Sequence, residues 1–226
     1  GTLPLFIVRF IAESIDKTGY GQVYLVGRYF SAFADLLTAL LVYLITRRLY
    51  KKERMALTAA AFSACSVLQI QLSHYFTVDT YTNFFTFLAF YFAVVILTEP
   101  NPKVLTNSSE ISFHPGRFSW DWLWGSRKSL VPCVLFGAAL GMAMASKVSA
   151  APLALLLPAV LLVQFSTAPE EERDRLIVIF LRNLAAAAVI SFIVFRICQP
   201  YAFKGPGFFG IGVNDRWVGS LKDLSL

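Results

Sequence analysis

Long apolar runs separated by short polar breaks limit what this chain can fold into more than any other feature. Six of them approach or exceed the length that a helix needs to cross the roughly 30 Å hydrocarbon core of a bilayer. Every backbone N–H and C=O group in a bilayer must be bonded within the protein, and helices do this locally. The sequence therefore predicts an all-α fold, a polytopic transmembrane helical bundle. The predicted spans are residues 23–49, 55–72, 82–97, 130–145, 148–165 and 176–197.

The composition agrees with a membrane protein and argues against several other classes. Apolar residues make up 57% of the chain and charged residues 15%, against roughly 25% charged residues in soluble domains. The net charge of +6 lies in loops rather than along one stripe, so we expect no nucleic-acid partner. The sequence contains no phosphate-binding glycine loop and no dinucleotide fingerprint, so we expect no nucleotide cofactor.

The polar segments predict a single transmembrane domain, residues 1–226, with three parts. Residues 1–21 are expected at the extracytoplasmic interface, where residues 3–12 form an amphipathic helix too short to span. Residues 22–197 form the helical bundle. Residues 198–226, which begin with a stretch rich in Pro and Gly, form an extracytoplasmic segment.

The distribution of positive charge predicts the orientation of the bundle. By the positive-inside rule, the basic loop after the first span is cytoplasmic. Alternation then places the loops at residues 99–129 and 169–175 inside, and the turns at residues 73–80 and 146–149 outside. The basic residues of the first loop are Arg47, Arg48, Lys51, Lys52 and Arg54.

The turn between the second and third predicted spans carries the most concentrated polar chemistry, His74 and Asp79. Ionisable residues next to membrane-spanning segments are costly and mark functional sites by default. Asp79 has two interpretations, a helix N-cap or part of such a site. His74 either supports that site or hydrogen-bonds a neighbouring loop. Asp35, about two turns inside the first span, is expected to have a partner within the bundle.

Alternation also brings four cations to the extracytoplasmic end, namely Arg28, Lys147, Arg196 and Lys204. Each alone is compatible with a simple interfacial anchor. Together with the carboxylate of Asp79, they indicate a site for an anionic ligand, such as a phosphate with a bound divalent ion.

Four segments stand out as a set, in chain order. They are residues 27–32 (GRYFSA), 71–80 (QLSHYFTVDT), 141–150 (GMAMASKVSA) and 196–203 (RICQPYAF). Together they resemble the bacterial branch of glycosyltransferase family 39. These are polytopic enzymes of the GT-C superfamily, similar to protein O-mannosyltransferases and to the aminoarabinose transferases of lipid A.

The resemblance implies an integral-membrane glycosyltransferase that moves a sugar from a polyprenyl-phosphate carrier to a protein or lipid acceptor on the extracytoplasmic face. It implies that Arg28 and Lys147 bind the carrier phosphate, and we assign Arg196 to the same set. Asp79 would be catalytic, beside the carrier or a divalent metal, Mg or Mn, with His74 in support. The implied surroundings are the lipid bilayer of a bacterial cell (plasma) membrane.

The start of the chain departs from the family pattern. The family's presumed catalytic base lies upstream of a Tyr-Gly-x-Leu-Pro-like segment, whereas this chain opens at Gly1-Thr2-Leu3-Pro4. We therefore expect an internal fragment that is inactive by itself. The alternative is a non-catalytic, glycosyltransferase-like accessory or structural subunit of a larger membrane complex, such as a bioenergetic one.

Overall fold

The computed structural model describes residues 1–99, 127–205, 210 and 212–223. Within these ranges the chain is almost entirely helical, with one antiparallel pair of two-residue strands. The α-helices are α1 Leu3–Ser14, α2 Tyr20–Tyr50, α3 Glu53–Ala64, α4 Val67–Ser73, α5 Val78–Thr98, α6 Arg127–Ser146, α7 Leu156–Thr167, α8 Glu170–Cys198 and α9 Asp215–Asp223. The 3-10 helices are Val148–Leu155 and Pro200–Ala202, and the strands are β1 Phe203–Lys204 and β2 Gly212–Val213.

The helix lengths confirm the predicted fold class. Among the described residues, five helical segments are long and apolar enough to cross a membrane, and a sixth is obtained if one bent pair is counted as a single span. Most of the predicted loop at residues 99–129 lies outside the described residues. The protein is a multi-pass, all-α membrane bundle.

The second predicted span, residues 55–72, is broken, which the apolar pattern did not predict. Helices α3 and α4 meet at an angle of 57°. Ser66 has an extended backbone, with φ −67° and ψ 112°, and occupies the N-cap position of α4, a position that favours Ser. Its N–H donates to the Ser63 carbonyl three residues back, so the last turn of α3 tightens and the helix ends.

The charged stretch at residues 169–175 was predicted as a loop, and this prediction is wrong. Helix α8 begins at Glu170, directly after Pro169, which takes the N-cap position. Acidic residues are favourable in a first helical turn because they face the positive end of the helix dipole. The carboxylate of Glu170 also lies 3.7 Å from the guanidinium of Arg173, one turn later.

Helix α1 confirms the helix predicted near the start of the chain. Pro4 lies in its first turn, where a missing backbone N–H costs nothing. Val8 and Ala12 are completely buried against the bundle, whereas Phe10 is 71% exposed. One face of α1 is therefore docked on the other helices, and its predicted place at the membrane interface stays a prediction.

Small residues set the spacing of α6 and α8. A Cβ atom on Gly137 would lie 2.3 Å from the carbonyl oxygen of Ala187, and one on Gly141 would lie 2.6 Å from that of Ser191. Both contacts advance by four residues in the same direction, so the two helices run parallel with their backbones close together. This packing places the end of α6 beside the end of α8.

Candidate functional site

An ion pair between Asp79 and Lys147 forms the centre of the candidate site. Asp79 lies in the first turn of α5, whose N-cap position is taken by Thr77, and Lys147 directly follows α6. The Lys147 Nζ atom lies 2.6 Å from Asp79 Oδ1, with the two side chains 50% and 42% exposed. The pair joins residues that are distant in sequence, and both remain accessible to a ligand.

His74 lies close to this pair in sequence but is bonded to its own helix. It takes the C-cap position of α4, and its Nδ1 atom lies 2.6 Å from the carbonyl oxygen of Ile70. This bond satisfies one of the carbonyls left open at the end of a helix. The partner lies in the histidine's own helix and not in a neighbouring loop, and the catalytic role of His74 stays a prediction.

The turn that carries His74 and Asp79 packs on the start of α2. A Cβ atom on Gly27 would lie 2.4 Å from the ring of Phe76, so only glycine allows this approach. The Tyr81 hydroxyl donates to the Gly27 carbonyl at 3.3 Å. Arg28 is the next residue, and its guanidinium lies 5.9 Å from the ring centre of Tyr24. The structure thus brings Arg28 to the end of the bundle that holds the ion pair.

Arg196 belongs to the same end but contacts the C-terminal segment. Its side chain is buried, its Nε donates to the Gly210 carbonyl at 3.1 Å, and its guanidinium lies 4.9 Å from the centre of the Phe203 ring. Lys204 pairs with Asp215 in this segment. These two cations are engaged with the short strands and α9.

Hydrogen bonds at the start of the chain connect further elements at this end. The Thr2 N–H donates to Gln199 Oε1 at 3.0 Å, and the Thr2 hydroxyl donates to the Cys198 carbonyl at 2.8 Å. The start of α1 therefore meets the end of α8, beside the end of α6. Helix alternation predicted that Asp79, His74 and the four cations lie at one end of the bundle, and the contacts described above agree with this.

The described residues do not fit a metal site built by the protein alone. Within the part of the chain that the structure describes, no group of three or more His, Cys, Asp or Glu side chains could hold a metal ion. Asp79, the expected ligand, faces an ammonium group instead. We therefore assign no step to a metal.

A cleft of about 390 Å³ opens between α2, α4 and α5, beside the ion pair. The sequence singled out two of its residues, but it did not predict that they share a cavity or that amide side chains complete it. Asp35 was expected to have a partner within the bundle, yet among the described residues it makes no hydrogen bond or ion pair. The lining residues are Asp35, Leu68, Gln69, Leu72, Asp79, Thr80 and Asn83.

A second cavity of about 320 Å³ lies between α6, α7 and α8 and is almost wholly apolar. Its lining includes Phe136, Leu140, Leu157 and Phe192, with Met144 and Phe195 towards the end of the bundle that carries Lys147. Such a surface suits a hydrocarbon chain rather than a polar ligand.

Comparison with known protein families supports the resemblance found in the sequence. Residues 7–108, a little under half of the 226-residue chain, match the family described as dolichyl-phosphate-mannose-protein mannosyltransferase. The matched range includes Arg28, His74 and Asp79 but not Lys147 or Arg196. No curated protein and no solved structure gives a significant match.

Proposed function

We propose that this chain is the membrane part of a glycosyltransferase that moves a sugar from a polyprenyl-phosphate carrier to a protein or lipid acceptor. The match of residues 7–108 to the protein mannosyltransferases carries the proposal. The Asp79–Lys147 pair supports it, because the pair joins a residue inside the matched range to a cation outside it. We place the reaction at the extracytoplasmic face, as the positive-inside rule indicates, and in a bacterial cell membrane, as the resemblance implies.

Lys147 and Arg28 are the proposed ligands of the carrier phosphate. Lys147 is held by a half-exposed carboxylate, and an exposed ion pair of this kind contributes about 1 kcal/mol or less. A phosphate can therefore replace or join Asp79 at the ammonium group at little cost. Arg28 has no acidic partner among the described residues, and its planar guanidinium suits a bidentate contact with phosphate oxygens.

Arg196 has a different proposed role. Because its side chain is buried and bonded to the C-terminal segment, we propose that it anchors that segment over the end of α8. Its assignment to the carrier phosphate, made from the sequence, would require those contacts to be exchanged.

The apolar cavity between α6, α7 and α8 is the proposed site for the beginning of the carrier's hydrocarbon chain. Met144 lies on its wall and is separated by only two residues from Lys147. A carrier with its phosphate at Lys147 could therefore lay its first isoprene units against this wall.

The proposed chemistry is electrostatic. When the bond between the sugar and the phosphate breaks, negative charge builds up on the leaving phosphate, and preorganised cations at that point stabilise the transition state. Asp79 serves this step by holding the Lys147 ammonium in position. His74 fixes the last turn of α4, from which the chain runs to Asp79.

The test is sugar transfer from radiolabelled polyprenyl-phosphate donors in membranes that contain the full-length protein. We expect transfer to fall at least tenfold in both variants, since Asp79→Asn loses the carboxylate that positions the Lys147 ammonium and Arg28→Ala loses a cation at the phosphate. Lys204→Ala is the matched control, because this exposed cation pairs with Asp215 in the C-terminal segment. Absence of transfer from every donor, with the protein folded, would favour the non-catalytic accessory subunit.

A further inference from the structure

The polar cleft between α2, α4 and α5 is not explained by binding of the carrier phosphate. Its volume of about 390 Å³ falls in the range of roughly 300–1,000 Å³ that small-molecule sites occupy. Three helices contribute to it, and its walls combine carboxylates, carboxamides, a hydroxyl and leucine side chains. On a surface that contacts only lipid, these polar groups would be energetically unfavourable.

Asp35 is the residue that most needs an explanation. It lies within α2, a helix that qualifies as a membrane span, where a carboxylate costs roughly 2.5–3.5 kcal/mol on insertion scales. Among the described residues no cation and no hydrogen-bond donor contacts it. A carboxylate in this position needs donors from outside the described residues, and the cleft is where they can enter.

The cleft is continuous with the proposed phosphate site through Asp79. One oxygen of this carboxylate contacts Lys147, and the same side chain lines the cleft. Arg28 lies two helical turns before Asp35 on α2 and therefore on the same face of that helix. A phosphate at Lys147 would therefore lie beside the cleft that Asp35 lines.

The lining matches the chemistry of a sugar. Carboxylates accept hydrogen bonds from hydroxyl groups, while Asn83 and Gln69 can both donate and accept. Leu68 and Leu72 offer apolar surface to the C–H face of a pyranose ring. No Lys or Arg is among the lining residues. Lys147 compensates the charge of Asp79, so the carboxylate of Asp35 is the one that disfavours a sugar with a carboxylate of its own.

We propose that this cleft binds the sugar of the carrier-linked donor, that the sugar is neutral or amino-bearing, and that Asp35 and Asn83 determine which sugar is accepted. The inference rests on the proposed glycosyltransferase function and assigns selection of the donor sugar to this cleft. Asp35 acts as a specificity-determining residue, not as a group in the bond-breaking step.

The first experiment measures occupancy of the cleft directly, without requiring turnover. Leu68→Cys, at the cleft wall and 64% exposed, is alkylated by a maleimide in the full-length protein, in a background of Cys65→Ala and Cys198→Ala. The probes are polyprenyl phosphate and polyprenyl phosphates carrying mannose, an amino sugar or a uronic acid. Leu57→Cys, which lies on α3 away from the cleft and is 56% exposed, is the control.

We expect at least fivefold slower alkylation of Leu68→Cys with the mannosyl or amino-sugar carrier and no change with the sugar-free carrier. The added change Asp35→Asn should abolish this protection, whereas Leu36→Asn, which introduces the same amide on an exposed neighbour, should leave it intact. Thermal unfolding of both variants checks that they fold alike.

The remaining outcomes separate the two proposals. Equal protection by the sugar-free carrier would overturn the proposal that the cleft binds the sugar. Strongest protection by the carrier with the uronic acid would overturn its preference for neutral or amino-bearing sugars. Transfer activity without protection by any carrier would support the glycosyltransferase function and refute sugar binding in the cleft. Protection by a sugar-bearing carrier without any transfer would support the sugar-binding site and refute the enzymatic function.

Discussion

At the scale of single residues, the Asp79–Lys147 pair combines a small energetic weight with a precise position. Both side chains are about half exposed, so solvent screens their attraction and the pair contributes about 1 kcal/mol or less to stability. Its value lies in holding an ammonium group at the mouth of a polar cleft. Arg48 and Glu99, at the other end of α5, form a comparable pair at 3.4 Å.

Mutation of Lys147 should separate stability from activity. We expect Lys147→Met to change the free energy of unfolding by about 1 kcal/mol or less, because the ion pair is exposed, and to reduce sugar transfer at least tenfold. The Arg48→Met variant removes the cation of the other pair and should have a similarly small effect on stability with little effect on transfer. Detergent-based thermal unfolding and the radiolabel assay measure the two quantities. Equal losses of transfer in both variants would contradict a specific role for Lys147.

The charge swap Asp79→Lys with Lys147→Asp tests the geometry of the same pair. The doubly changed protein can re-form the ion pair, but it places a cation at the start of α5 and an anion at the end of α6, against both helix dipoles, so it should recover the stability of the wild type only in part. It should not recover transfer, because the cation has moved to the start of α5. Recovery of full activity would show that only the presence of the pair matters, and not its orientation.

At the scale of the elements, close helix packing and a helix break shape the site. The glycines of α6 allow α8 to approach backbone to backbone, which aligns Lys147 with the end of α8. The break between α3 and α4 tilts α4 by 57° and so brings Gln69 and Leu72 over the cleft. Neither feature involves a charged group, yet both determine where the charged groups lie.

Substitution of Gly141 should destabilise the bundle. A Cβ atom there would lie 2.6 Å from a backbone carbonyl on α8, so Gly141→Ala forces the helices apart, and we expect a loss of about 1–3 kcal/mol as for other overpacked cores. Gly21→Ala is the matched control, because nothing lies within 4 Å of its Cβ position. It should leave the melting temperature unchanged or raise it, since Ala favours a helix more than Gly does. A melting temperature of Gly141→Ala equal to that of Gly21→Ala would contradict the packing argument.

At the scale of the whole molecule, the bundle separates two ends of different character. One end collects Arg28, Asp79, Lys147 and the C-terminal segment, and the other holds the Arg48–Glu99 pair and the basic residues that follow α2. The contacts establish which residues share an end. The assignment of an end to a side of the membrane comes from the positive-inside rule.

Labelling from one side of the membrane tests that assignment. In intact cells, a membrane-impermeant maleimide should label Tyr75→Cys, which is 55% exposed in the turn before Asp79, and should not label Lys51→Cys until the membrane is opened. Both variants are made in the background of Cys65→Ala and Cys198→Ala, which removes the exposed and the half-buried native thiol. The reverse pattern would place the candidate site on the cytoplasmic side.

The sequence by itself determined the helical class, the approximate spans and the residues with unusual chemistry. It could do so because the length of an apolar run and the cost of a charge near it are local properties, readable without knowing any neighbour. The extent of α8 was underestimated, since its first turn is charged and apolarity was the signal used.

Only the tertiary structure decided which of those residues meet. Lys147 and Asp79 are brought together by the packing of α6 on α5, and Asp35 and Asn83 by that of α2 on α5. The sequence also did not predict that Arg196 bonds to the C-terminal segment or that His74 bonds to Ile70. Apolar helix surfaces look alike in composition whether they face lipid or protein, so the choice of neighbours depends on three-dimensional fit.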